Sequence, residues 1–323
     1  MRVWRQLADL IGQHGSAALI TVHEVKGSAP REVGAHIVVR PDGAFHGTIG
    51  GGQLEFRMLD IARDMLRGGR GAARIVDQAL GPDLGQCCGG RVKILIETFD
   101  GRDLEDIKPL VDSEAHGVFE VECRLDQGRV IRDLSSAVGD DKATQWRETH
   151  GEARTPVLIF GAGHVGRALA LALAPLPFSV RWLDDREDAF PGHVPANVAA
   201  VRMQDPVGEI AQADPRSLIL VMTHDHPLDM AITAAALGRD FPYVGLIGSD
   251  TKRARFEKRF RELGLSEARI RSLVCPIGIP GIVAKEPAVI AASVVAQLLQ
   301  VRERGALDSK FSPPVPANDK TAP

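Results

Sequence analysis

Aromatic residues are scarce in this chain, 5% of the total with a single tyrosine, which argues against a stacking surface for single-stranded nucleic acid. Charge of one sign is lacking too. With 39 Lys and Arg against 42 Asp and Glu, no basic field advertises nucleic acid or an anionic membrane. No run approaches the roughly 18–20 apolar residues of a membrane span. The longest candidates, Ala168 to Leu176 and Ala288 to Leu299, are broken by Pro175 or by Ser293 and Gln297. The start, Met1-Arg2-Val3-Trp4-Arg5-Gln6 with Asp9 close behind, does not read as a secretory signal. Only four cysteines occur, at 87, 88, 123 and 275, with neither metal-finger spacing nor the density of a disulfide framework. The expectation is a cytoplasmic protein with no membrane and no nucleic-acid partner.

What is present in quantity is glycine, 33 residues of 323, and its clusters carry the information. At 44% hydrophobic and 25% charged the composition is ordinary and globular, and the length fits about two domains. The first part predicts a helix from Trp4 to Gln13, with Trp4, Leu7, Ala8 and Ile11 on one face, then a strand from Ala17 to Val25. A hairpin turns at Pro41-Asp42-Gly43, and Gly50-Gly51-Gly52 leads into a helix that stops at Gly68-Gly69. Strands near Ala73 to Asp77 and Arg91 to Thr98 bracket Gly85-Gln86-Cys87-Cys88-Gly89-Gly90, and a further hairpin, Val118 to Leu125 with Arg129 to Leu134, closes the segment.

At Pro156 the character changes. Short apolar strands at Val157 to Phe160, Ser179 to Leu183, Ser217 to Thr223 and Tyr243 to Ile247 alternate with helical stretches up to a last helix from Glu286 to Val301. That alternation predicts a parallel sheet covered on both faces. The expected fold is therefore α/β: an amino-terminal α/β domain over 1–135, a polar linker over 136–155, a Rossmann-like doubly wound domain over 156–303, and a proline-rich disordered tail over 304–323.

Gly161-x-Gly163-x-x-Gly166 lies between a buried strand and a helix, and Asp184 follows 18 residues beyond Gly166 at the end of the next strand. Gly161 permits the tight turn, Gly163 a close phosphate, and Gly166 close helix packing; Asp184 stands where a ribose hydroxyl is held. The same glycines also serve packing alone. Gly50-Gly51-Gly52, with Gln53 next, repeats the helix-entry physics and can form a row of N–H groups for an anion or simply open the helix. Ser28 and Arg31 lie upstream on a loop, Arg31 either pairing with an anion or resting on the surface. Cys87-Cys88, flanked by glycines, sits on a turn where a thiolate can bind a soft metal, carry sulfur or oxidise; the bland alternative is a buried turn. Thr223-His224-Asp225-His226, with Asp229, ends a buried strand and offers either metal ligands or helix caps.

Taken together, Gly27-Ser28-Ala29-Pro30-Arg31-Glu32-Val33-Gly34-Ala35, Gly47-Thr48-Ile49-Gly50-Gly51-Gly52-Gln53-Leu54-Glu55 and Cys87-Cys88-Gly89-Gly90 resemble the xanthine dehydrogenase accessory proteins, the XdhC/CoxI family. The carboxyl half continues the resemblance through Gly161 to Gly166, Asp184-Asp185-Arg186, Thr223-His224-Asp225, Gly245 to Ser249 and Pro276-Ile277-Gly278. The resemblance implies a chaperone rather than a turnover enzyme. Such a protein binds the molybdenum cofactor (molybdopterin) as cargo, supports its sulfuration by a cysteine desulfurase, and inserts it into apo xanthine dehydrogenase, typically as a homodimer. Cys88 matches the family's Cys-Gly-Gly and becomes the candidate molybdenum contact, with Cys87 beside it; the pterin phosphate is expected on the Gly50–Gly52 or Gly161–Gly166 helix start. The alternative is an NAD(P)-dependent oxidoreductase in which Asp184 holds the ribose and His224 or His226 moves a proton. A pure interaction adaptor is the third reading.

Overall fold

Alternation along a single strand sets the layers of the first unit. A computed structural model describes residues 2–81, 89–134 and 145–311, with side chains as far as 305. It divides into two compact units, Met1–Ala153 and Arg154–Pro323. Helix α1 (Val3–His14) places Val3, Trp4, Leu7, Leu10 and Ile11 on its buried face and ends at Gly15, whose left-handed backbone lets its N–H donate to Ile11 O. In β1 (Ser16–Lys26), Ala18, Ile20 and Val22 point to one side and Ala17 and Leu19 to the other, as a period of two requires. The strands β2 (His36–Val39), β3 (Phe45–Gly47), β4 (Arg74–Ala79) and β5 (Arg91–Asp100) complete an antiparallel sheet in the order β3-β2-β1-β5-β4.

Helix α2 (Gly52–Arg67) covers the first face with Leu54, Met58, Leu59 and Ala62, against Ile20, Ile37 and Ile94. On the other face α1 and α3 (Leu104–His116) pack Leu7, Ile11, Ile107 and Leu110 on Leu19, Val38 and Phe99. A second small sheet, in the order β7-β6-β8, is built from β6 (Phe119–Asp126), β7 (Arg129–Asp133) and β8 (Gln145–His150). The expected hairpin is present, paired Leu125 to Val130. Its third strand corrects the linker expectation. Gln145–His150 pairs antiparallel with β6, and its inward residues, Trp146, Glu148 and His150, are a mixed set rather than an apolar run, which is why it reads as polar linker in sequence. Glu148 pairs with Arg132, which also binds Glu97 on β5, all with side chains at most 10% exposed. Burial works against the charged form of Glu148, but Arg132 and His150 outweigh it and hold the carboxyl well below the usual range.

In the second unit β9 (Thr155–Phe160), followed by α4 (His164–Ala172), starts a parallel sheet. It is joined by β10 (Phe178–Asp184), β11 (Val198–Arg202), α5 (Pro206–Gln212), β12 (Leu218–Val221), α6 (His226–Leu237) and β13 (Tyr243–Leu246). Then come α7 (Asp250–Glu262), α8 (Glu267–Arg271), β14 (Leu273–Val274) and α9 (Pro287–Phe311). Strand order is β11-β10-β9-β12-β13-β14, all parallel. The Rossmann-like doubly wound expectation is correct here. Val157, Ile159, Leu218 and Leu220 form one core with α4 and α9; Leu158, Phe160, Ile219 and Val221 form the other with Ile232, Phe256 and Phe260. Fully burying a side chain of this size contributes about 1.5–3 kcal/mol. The last helix continues to Phe311, past the expected start of the tail at 304; residues 312–323 lie outside those described. Among the described residues, no helix is long and apolar enough to cross a membrane.

Candidate functional site

Loops 27–31, 50–52 and 89–90 of the first unit meet at one end of its sheet. β1 and β5 stay paired to Lys26 and Arg91, so the loops that leave them, 27–31 and 89–90, start side by side. Their approach is close enough to demand glycine. A Cβ on Gly90 would lie 2.2 Å from Ser28 O and 2.7 Å from Lys26 O. The 27–34 loop is closed back onto the strand by Gly34 N–H donating to Val22 O at 2.9 Å. Gly50, with φ at 124°, packs beneath the same loop: a Cβ there would stand 2.6 Å from Pro30 Cβ and 3.7 Å from Arg31 Cγ. Ser28 and Gln53 are exposed at this corner, and Arg31 is partly exposed with its Nη2 donating to the neighbouring Glu32 Oε1 at 3.1 Å. Cys87 and Cys88 lie outside the described residues; Gly89, the next residue in the chain, is inside them.

The Gly50–Gly52 row is less open to an anion than its sequence suggests. The Glu55 carboxylate turns back over it and accepts from Gly51 N–H at 3.1 Å, Ile49 N–H at 3.2 Å and Thr48 Oγ1 at 2.7 Å. Thr48 Oγ1 accepts in turn from Gly50 N–H at 3.1 Å. The helix start is thus capped from within, a carboxylate filling the place imagined for a phosphate. A Glu four residues after the N-cap Gly51 is the signal that sequence reading missed.

In the second unit the chain leaves β9 toward β10 and β11, then returns to the other side of β9 at β12, so the switch point lies between β9 and β12. The glycine loop sits there. Gly161, with φ at 118°, is pressed against the strand-end loop opposite, where a Cβ would meet Met222 O at 2.3 Å. Gly166 allows α4 to close on Trp182, whose Nε1–H donates to Gly161 O at 3.0 Å. Gly163 differs: nothing lies within 4 Å of its Cβ position. The space above it is a cavity of about 280 Å³ lined by Gly163, His164, Arg167, Arg186 and Asp188, among others.

Asp184 is buried, and its acceptors are already used. One oxygen accepts from Ala162 N–H at 2.6 Å and Arg186 Nη2 at 2.9 Å, the other from Arg186 N–H at 3.0 Å and Nε at 2.9 Å. Burial raises the pKa, but Arg186 and the Ala162 amide overcome that and hold the carboxyl at about 2. The residue placed by sequence to hold a ribose instead locks the glycine loop and aims Arg186, a side chain not singled out as a site.

The Thr223–His226 segment stands at the end of β12 with Thr223, Asp225 and His226 engaged and His224 exposed. Asp225 caps α6, accepting from Leu228 N–H, and Arg255 Nη2 lies 2.8 Å from His226 Nδ1. Asp229 is buried, accepting from Thr223 N–H and Oγ1 and pairing with Lys252 Nζ at 2.7 Å. The metal alternative finds no support: among the described residues no group of three or more His, Cys, Asp and Glu is placed to hold an ion. Cys123 and Cys275 are buried, and burial pushes both thiols up in pKa.

Known proteins match this chain in sequence and in fold. The XdhC Rossmann domain family matches residues 157–298, and the XdhC and CoxI family matches residues 10–77. The chain belongs to the XdhC/CoxI family. It is 27% identical over 97% of its length to the uncharacterized protein YqeB of Escherichia coli K12, but spans only 49% of that protein. It is 24% identical to the E. coli molybdenum cofactor insertion chaperone PaoD, covering 92% of this chain and 87% of PaoD. A probable xanthine dehydrogenase subunit from Bacillus subtilis 168 is 24% identical, with 93% of this chain and 98% of that one covered. In fold the chain is similar to a Bacillus halodurans crystal structure described as a xanthine dehydrogenase, with a TM-score of 0.75, 22% identity and 98% of each chain aligned.

Proposed function

We propose that this XdhC/CoxI protein is an accessory chaperone that binds the molybdenum cofactor as cargo and inserts it into an apo molybdoenzyme of the xanthine dehydrogenase class. The observation that carries the reading is the convergence of loops 27–31, 50–52 and 89–90 at one end of the first sheet, in a family whose relative PaoD bears the name of a molybdenum cofactor insertion chaperone. A corner of exposed backbone, Ser28, Arg31 and Gln53 suits a polar heterocycle better than an apolar ligand. Cys88, with Cys87, supplies a thiol next to that corner in the chain, and molybdenum is thiophilic. The same reading includes protection or support of a sulfurated cofactor, a cysteine desulfurase partner, a homodimer and a cytoplasmic location.

In the second unit, the cavity over Gly163 with Arg167 and Arg186 supports binding of a phosphate-bearing ligand there rather than at the Glu55-capped Gly50–Gly52 row. The oxidoreductase alternative needs Asp184 free for a ribose, and Asp184 is engaged by Ala162 and Arg186. An NADH fluorescence titration separates the two: no quenching or shift, with no substrate-dependent absorbance change, is the chaperone result. The direct functional test is anaerobic reconstitution of a cofactor-free xanthine dehydrogenase with cofactor supplied on this chain or free in solution. Faster or fuller activation by the loaded chain supports insertion; equal activation refutes it.

A further inference from the structure

A second cavity, about 490 Å³, lies wholly within the first unit, where α3 and the preceding turn Gly101–Asp103 face β7. It is not formed by any of the family motifs. Its floor holds an unusual charge arrangement. Asp103, 3% exposed, accepts from Arg70 Nε at 3.0 and 3.1 Å and from Arg129 Nη2 at 2.8 Å. Arg129 Nη1 donates to Gly71 O at 3.1 Å. Two guanidinium groups carry about ten N–H donors between them, far more than one carboxylate and one carbonyl consume. Two cations on one buried anion leave a positive charge at the floor, while Asp126, paired with Arg124 at 3.1 Å, also lines the cavity.

The walls beside this floor are apolar: Phe99, Ile107 and Leu110, all nearly buried, with Val130 opposite. Trp4 lines the cavity as well, and its indole Nε1–H is buried without a hydrogen-bond partner among the described residues. The mouth carries Glu105 and Asp106, both exposed, whose negative charge disfavours a multiply charged anion.

We propose that this cavity is a binding site for a small amphipathic monoanion, a monocarboxylate with an apolar body. The carboxylate pairs with Arg70 and Arg129, and the body packs on Phe99 and Leu110. The volume lies within the range of sites that hold small molecules. The site shares no residue with the 27–31 corner and does not depend on cofactor binding there.

The test is calorimetric titration of the full chain at low salt with 2-naphthoate, its neutral analogue 2-naphthamide, and the dianion 2,6-naphthalenedicarboxylate. One saturable naphthoate site is expected, with the amide and the dianion each weaker by roughly tenfold or more. Arg129→Gln should weaken naphthoate by a similar factor. Ile131→Trp, at a rim position 38% exposed, should block the mouth without touching the ion pairs and so serves if the arginine variant folds poorly. The proposal is overturned by naphthoate binding weaker than roughly 1 mM, by equal affinity for the amide or the dianion, or by affinity unchanged in Ile131→Trp.

Discussion

Asp184→Asn isolates the charge that locks the glycine loop while keeping its shape. In the folded protein the carboxyl is held at about 2, against 3.8 for an ordinary aspartate. Because the folded pKa is depressed, the stabilisation is present at neutral pH and fades as pH falls from about 4 through 2. A difference of nearly two pKa units corresponds to about 2 kcal/mol at pH 6 and about half that at pH 3. The asparagine side chain can still accept from the Ala162 N–H, so the loss is mainly that of the Arg186 pair. Urea unfolding of both proteins at pH 6, 4 and 3 measures this, with Trp182 emission as a local reporter because its indole is bonded to the glycine loop. The expected result is a variant less stable by about 2 kcal/mol at pH 6, with the gap narrowing as pH falls. Equal stability at pH 6, or a gap that does not change with pH, refutes the lock.

Three other substitutions follow from the same structure. Arg132→Met strands Glu97 and Glu148 in the first unit and should cost about 3–5 kcal/mol in urea unfolding, since an uncompensated buried charge remains. Glu55→Ala uncovers the amides of Ile49 and Gly51 and should cost about 1–2 kcal/mol, with Glu55→Gln recovering part of it because an amide oxygen still accepts. Gly161→Ala and Gly163→Ala should diverge in thermal melts. The first forces a Cβ against Met222 O at positive φ and should cost about 2 kcal/mol or more, whereas the second meets no atom and should change stability by less than about 1 kcal/mol.

The second unit was legible in sequence because its strands are buried on both faces and read as unbroken apolar runs such as Val157 to Phe160. Elements that expose more polar surface were not. Helix α7 buries only Phe256 and Phe260, and α3 carries Pro109 within it and acids in its first turn, so neither announces itself by periodicity. Strand β8 escaped for a sharper reason: its inward side chains, Trp146, Glu148 and His150, satisfy one another and Arg132 through hydrogen bonds, which no hydropathy pattern records. The site was legible as residue types but not as bonding. Glycine spacing located both helix starts, yet which one stays open depends on where Glu55 and Asp184 turn their carboxylates. That is decided in three dimensions, by side chains four and twenty-two residues from the loop amides they bind.

The proposed role is that of a molybdenum cofactor carrier with Cys88, beside Cys87, as the contact to the metal. Its most direct test is anaerobic ultrafiltration of the purified full chain with free cofactor, quantifying retained molybdenum for the natural protein, Cys88→Ala and Cys87→Ala. Retention by the natural protein that drops in Cys88→Ala is the predicted result. Absence of retention by the natural protein contradicts the carrier itself, and retention that is undiminished in both variants contradicts the thiol contact.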